Sequence, residues 1–137
     1  MPNGIYQIPY PTNELVFDYA PGSDERKILQ NTLAAMLDQE PVNILMYIGS
    51  NEIYTNDNRD LTPPVDHSKK VGKTNFGGKK HVKQAIEAAL SAKKNWADLP
   101  WEHRASIFLK AADLIAGTYR YEMNAATMIS QSKNAFQ

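Results

Sequence analysis

The run Val71-Gly72-Lys73-Thr74 has the tail of a phosphate-binding loop, in which backbone N–H groups cradle phosphate oxygens and a lysine neutralises them. The leading glycine of that motif would fall at position 67, which is His67, so the spacing fails. Zinc chemistry fails on the same ground. His67, His81 and His103 contain no i, i+4 pair, and the 137-residue chain has no cysteine to complete a zinc shell. Asp57 and Asp60 have the composition of a calcium loop, but Arg59 stands where a second oxygen ligand is required, and a turn-forming acidic loop accounts for them better. Two glycine sites bear on dinucleotide phosphates. Gly49-Ser50 follows a β-forming run and precedes no helix start, which reads as a turn. Phe76-Gly77-Gly78 does precede a helix, with Lys79 and Lys80 able to meet an anion, but without G-x-G-x-x-G it reads as a linker. The residues therefore nominate no catalytic, cofactor-binding or metal-binding side chain, and the absence of cysteine removes disulfides and thiol nucleophiles.

The elements that frame these motifs follow from periodicity. Val82, Ala85, Ile86, Ala89, Leu90 and Trp96 recur at helical spacing, with Lys79, Lys80, Lys83, Glu87, Lys93 and Lys94 on the remaining face, which predicts a surface helix docked on one side. Asp98-Leu99-Pro100 interrupts it, and Pro100 suits the first turn of a second helix. The apolar positions of that helix are Ile107, Phe108, Ala111, Leu114 and Ile115, and Gly117 is placed for a left-handed cap. A third helix is expected from about Tyr119, with Met123, Thr127 and Met128 buried. It carries no glycine, proline or basic last turn before Gln137, which predicts a helix that frays at the last residue of an incomplete domain.

Upstream, Pro2, Pro9, Pro11 and Pro21 oppose regular structure and predict an extended arm over residues 1–22. Ser23 can cap a helix over residues 23–39, with Asp24 and Glu25 in its first turn and Ile28, Leu29, Leu33, Met36 and Leu37 as its stripe. Residues 42–76 read as strands and loop: a hairpin over Val42 to Thr55 with Ile44, Met46 and Ile48 on one face, a polar loop from Asn56 to Pro64, and an extended segment from Val65 to Phe76. The fold class is α+β: arm and helix, a small antiparallel hairpin or sheet, then three helices over residues 79–137.

The turn Pro100-Trp101-Glu102-His103-Arg104 between the two long helices resembles the N-terminal region of aldehyde dehydrogenases. Several stretches are similar to the branch that oxidises glutamate semialdehyde, the 1-pyrroline-5-carboxylate dehydrogenases. They include Pro21-Gly22-Ser23-Asp24-Glu25-Arg26, Asp66-His67-Ser68, Ala85-Ile86-Glu87-Ala88-Ala89-Leu90, the run from Arg104 to Asp113, and Thr127-Met128-Ile129-Ser130-Gln131-Ser132-Lys133. Two positions depart from the family pattern: Ser132-Lys133-Asn134, where relatives place glycine before and threonine after the lysine, and Tyr47, where glycine is usual.

The resemblance implies part of a nucleotide-binding domain whose arm wraps over the enzyme body. It implies a proline-catabolic chemistry in which a cysteine thiolate attacks the aldehyde, hydride passes to NAD and a glutamate activates water. None of those groups has a counterpart here, so the resemblance implies NAD for the full-length enzyme, no cofactor in this chain, and no activity by the 137 residues alone. The expected partner is the remainder of the dehydrogenase domain, or a second copy meeting the same exposed helix faces; the alternative role is a non-catalytic oligomerisation or interaction module. The implied location is the mitochondrial matrix. The cytoplasm is the alternative, because the early residues, with Glu14, Asp18, Asp24 and Glu25 around a lone Arg26, do not read as an import signal.

Composition agrees with a globular chain: 42% hydrophobic, 22% charged, formally neutral. Neutrality conceals an asymmetry. Residues 1–66 carry three Lys/Arg and ten Asp/Glu, a balance of −7, and residues 67–137 carry twelve and five, a balance of +7. A nucleic-acid surface is the functional reading of the basic half, but its lysines lack interleaved surface aromatics, and a solvated helix face explains them. No apolar run approaches the length of about 20 residues that crosses a bilayer, so neither nucleic acid nor membrane is expected as a partner.

Overall fold

The computed structural model describes Tyr10 and residues 12–137. Residues 12–20 run without regular structure into helix α1 (Asp24–Asp38). Strands β1 (Val42–Ile44), β2 (Met46–Ile48), β3 (Asn51–Ile53), β4 (Asn58–Leu61) and β5 (Gly72–Asn75) follow, then helices α2 (Lys79–Asp98), α3 (Trp101–Ala116) and α4 (Arg120–Gln131). The α+β class and the order of elements are those expected. The prolines at 2, 9 and 11 lie outside the described residues.

Helix α1 begins where its chemistry directs. Ser23 Oγ accepts from the Arg26 N–H at 3.4 Å, and Asp24 and Glu25 face the positive helix end. Its stripe packs on α4: Leu29 is 3% exposed against Ala125 at 0%, with Leu33, Met36, Tyr121 and Met128 around them. Tyr19 completes this core from the arm. Its backbone is left-handed (φ 49°), an arrangement costing about 1–2 kcal/mol for a non-glycine residue. Burial of the ring offsets that cost, as do the Tyr19 hydroxyl accepting from Asn124 Nδ2 at 3.0 Å and the Tyr19 carbonyl accepting from the Arg26 guanidinium at 3.3 Å.

The strands form two sheets. One is the expected hairpin, β2 antiparallel to β3, turned by Gly49-Ser50 with Gly49 at φ 61°, the left-handed first position of a two-residue turn. The other has the order β1-β5-β4, with β4 antiparallel and β1 parallel to β5 (Val42 opposite Gly72, Ile44 opposite Thr74). Ile44 therefore leaves the face it was expected to share with Met46 and Ile48. Periodicity reveals that a segment is extended, but it does not select the partner of a three-residue strand.

The loop assigned to Asn56–Pro64 also contains β4. Its residues are polar because an edge strand can leave both faces in water, and only Leu61 is even half-buried. Conversely, the segment expected to be extended from Val65 is regular only at Gly72–Asn75. Before it the chain turns, with Asp66 Oδ1 accepting from both the N–H and the hydroxyl of Ser68.

Asn75 joins the two sheets. Its Oδ1 accepts from the Thr55 N–H at 3.1 Å, and its Nδ2 donates to Asn43 Oδ1 at 2.9 Å and to the Ile44 carbonyl at 3.0 Å. Asn75 is buried, so replacing it strands backbone groups away from water. Asn75→Ala is expected to lower the unfolding free energy by about 2 kcal/mol, read from the urea midpoint, whereas the exposed neighbour substitution Asn58→Ala is expected to cost under about 0.5 kcal/mol.

Two helix ends differ from expectation. Gly117 is not left-handed (φ −111°); glycine is needed because a Cβ would lie 2.8 Å from the Asp113 carbonyl, which accepts the Gly117 N–H. Helix α4 does not continue to Gln137. It ends at Gln131 with Ser132 left-handed (φ 53°), after which Asn134 Oδ1 accepts from the Phe136 N–H and Ala135 folds back onto the core. The absence of glycine and proline concealed this stop, because a serine in the left-handed region supplied it.

Candidate functional site

The motifs weighed for chemistry are placed as structural parts. Gly72-Lys73-Thr74 lies in β5, hydrogen-bonded on both sides, where it cannot wrap a phosphate. Glycine there reflects strand packing, since a Cβ would meet the Val42 carbonyl at 3.1 Å. His81 Nδ1 accepts from the Gly78 N–H at 3.1 Å and closes the start of α2. His67 lies in an exposed turn and His103 on an exposed side of α3. Among the described residues no three His, Asp or Glu side chains converge as a metal-binding group.

Asp57 and Asp60 do not share a loop. Asp60 is in β4, and Lys70 holds its carboxyl below the usual value of 3.8 by hydrogen bond and charge. The sign follows: a carboxyl more acidic in the folded state lends stability above its unfolded pKa, lost as pH falls through the folded one. Lys70→Ala should therefore raise the Asp60 midpoint towards 3.8 in a carboxyl-detected NMR titration; an unchanged midpoint would remove Lys70 as the cause. The pair is solvent-exposed and adds little to stability.

Glycines do not cradle a dinucleotide either. Gly49 turns the hairpin against Ala88 of α2, and the Gly78 N–H is already taken by His81. Neither Gly49 nor Gly78 therefore offers a free backbone cradle for a dinucleotide phosphate.

What the fold does present is an uncovered apolar surface. Helix α2 has no buried residue and neither has α3, although both carry the predicted stripes. Leu90 is 64% exposed, Trp101 54% and Phe108 68%, and Val82, Ile86, Ile107 and Ile115 are also more than half in water. Contiguous exposed apolar area of this kind is uncommon on a folded monomer.

Arg120 is a structural anchor that periodicity did not reveal. Its Nε donates to the Ala116 carbonyl and its guanidinium to the Leu15 carbonyl at 2.8 Å and to Glu14 Oε2 at 2.9 Å, and it lies 4.5 Å over the Phe17 ring. It ties the arm to the corner between α3 and α4. The only sequence signal was the charge asymmetry, an acidic first half facing a basic second.

Comparison with known proteins places this arrangement. The aldehyde dehydrogenase family model matches residues 33–136. Delta-1-pyrroline-5-carboxylate dehydrogenase of Agaricus bisporus is 43% identical over 132 residues, covering 96% of this chain and 24% of the relative. The human mitochondrial protein of that name is 39% identical over 125 residues, covering 91% of this chain and 22% of its own length. Among solved structures, the NAD-bound Delta-pyrroline-5-carboxylate dehydrogenase of Mycobacterium tuberculosis superimposes with a TM-score of 0.86 at 40% identity, covering 93% of this chain and 24% of that one. The chain thus spans about a quarter of the length of these relatives.

Proposed function

This chain belongs to the aldehyde dehydrogenase family, and from that premise we propose that it forms the N-terminal part of an NAD-linked 1-pyrroline-5-carboxylate dehydrogenase. In that part its role is structural, not chemical. The observation that carries the reading is the pairing of close likeness to these relatives with unburied stripes on α2 and α3. Such stripes are stable in water only when another surface covers them. The core of α1, α4 and Tyr19 positions the arm, the two sheets frame the start of α2, and α2 with α3 offers the face that the remainder of the dehydrogenase occupies.

Aldehyde oxidation in this family needs a thiolate, and these 137 residues contain no cysteine. The segment alone is therefore expected to form no NADH from 1-pyrroline-5-carboxylate and NAD, followed at 340 nm. NADH formation above the no-protein rate, proportional to the amount of purified chain, would contradict this reading. The mitochondrial names of the human and mouse relatives support a mitochondrial setting.

The exposed faces favour a second reading, a non-catalytic module that pairs with its own copies. Light scattering distinguishes it: a mass rising from about 15 to about 30 kDa with concentration supports pairing, and a constant monomer mass excludes it.

A further inference from the structure

We propose that Arg104 is the polar anchor of the α2–α3 docking face, and that its partner is a carboxylate on the segment of the dehydrogenase that covers this face. The assignment rests on the functional reading above and adds the chemistry of the contact.

Arg104 differs from the residues around it. Trp101, Ile107, Phe108 and Ile115 of α3 lie more than half open to water, but the charged Arg104 is partly buried, and its Nε is sealed from solvent without a hydrogen-bond acceptor. A guanidinium has five donors and no acceptor, so with Nε closed off by the chain itself, its Nη groups are the donors that an oxygen arriving from outside can meet. A buried donor left unpaired is rare in a complete structure. None of the ion pairs among the described residues includes Arg104.

Its position adds to the mismatch. Arg104 is in the first turn of α3, at the positive end of the helix, where a cation is disfavoured unless an anion accompanies it. The nearest acid, Glu102, is two residues away and lies on a different side of the helix. Spacing of three, four and eleven residues instead places Arg104 between Trp101, Phe108 and Ile115, on the stripe that is uncovered. A lone cation within an apolar docking face selects an acidic partner and fixes the register of contact. The fork geometry of arginine suits a carboxylate that accepts two parallel N–H groups.

The surface spans both helices. It carries Val82, Ile86, Leu90, Trp101, Phe108 and Ile115, each more than half exposed.

The test titrates the 137-residue chain against the remaining three quarters or so of the Agaricus bisporus relative, produced without its matched segment. Arg104→Gln and Arg104→Lys are compared with the unaltered chain. The expected result is a dissociation constant at least thirtyfold weaker for Arg104→Gln, with Arg104→Lys in between because it keeps the charge and loses the fork. The far-UV circular dichroism of the free chains should be the same for all three, since α3 is open to water. Equal binding by all three would overturn the assignment and leave the functional reading standing. Loss of helix in the free Arg104→Gln chain would also overturn it, by making Arg104 an internal support. Failure of the unaltered chain to bind would overturn both.

Discussion

Leu29→Ala is expected to lower the unfolding free energy by about 3 kcal/mol and to melt α1 away from α4 at moderate urea. Leu29 is buried, 3% exposed, and lies with Tyr19 and Ala125 where the arm, α1 and α4 meet. Truncation removes the transfer free energy of the side chain and leaves a cavity that the surrounding Leu33, Met36, Tyr121 and Met128 fill only in part. Because so little else is buried, the loss is a large fraction of the stability of this unit. Leu29→Met keeps volume and should cost under about 1.5 kcal/mol. Urea titration followed by circular dichroism checks both, and a shift below about 1 kcal/mol for Leu29→Ala would show that the α1–α4 contact is not the core.

Arg120→Ala is expected to free the arm and to cost about 2 kcal/mol. The Arg120 side chain is 13% exposed and holds Glu14, the Leu15 carbonyl and the Phe17 ring at once. Charge-assisted hydrogen bonds to partly buried groups are worth more than a surface pair, although Glu14 itself is well exposed and its share is small. The loss should therefore reside mainly in the Leu15 carbonyl and the Phe17 contact. Glu14→Gln is accordingly expected to cost under about 1 kcal/mol. Limited proteolysis gives the readout: cleavage around residues 14–18 should accelerate severalfold in Arg120→Ala and hardly at all in Glu14→Gln. Equal protection of the arm in Arg120→Ala would place its anchor elsewhere, at Tyr19.

Which parts were legible depended on whether the signal was local. Ser23 before Asp24 and Glu25 states a helix start in three residues, and the stripes of α2 and α3 state helices without any tertiary information. The Gly49-Ser50 turn was readable for the same reason. Pairings across distance were not. The three-residue β1 finds β5 some thirty residues away, and β4 shows no alternation because it is a polar edge. The end of α4 was missed because Ser132 takes a left-handed conformation usually given to glycine, under the pull of Ala135 on the core.

The surface follows the same division. Apolar periodicity identified the faces of α2 and α3, and the resemblance to a longer enzyme implied that they lie exposed, since a stripe by itself looks the same whatever packs on it. Arg104 stands in the sequence as the end of one turn and the start of the run to Asp113, and its orphaned Nε is a property of the fold and not of the spacing. Asn75, which links the sheets through three hydrogen bonds, stands in the sequence as one asparagine before an aromatic.

The central claim is that α2 and α3 are covered by the remainder of a dehydrogenase. The chain has two tryptophans, Trp96 and Trp101, one near the end of α2 and one at the start of α3. Both are labelled with 5-fluorotryptophan, and their fluorine resonances are followed while the complementary portion of the Agaricus bisporus relative is added. The account predicts that both resonances shift and lose their solvent isotope effect at one equivalent, because both indoles leave water. Two resonances that stay in place, with their solvent sensitivity intact at saturating concentrations, would contradict it.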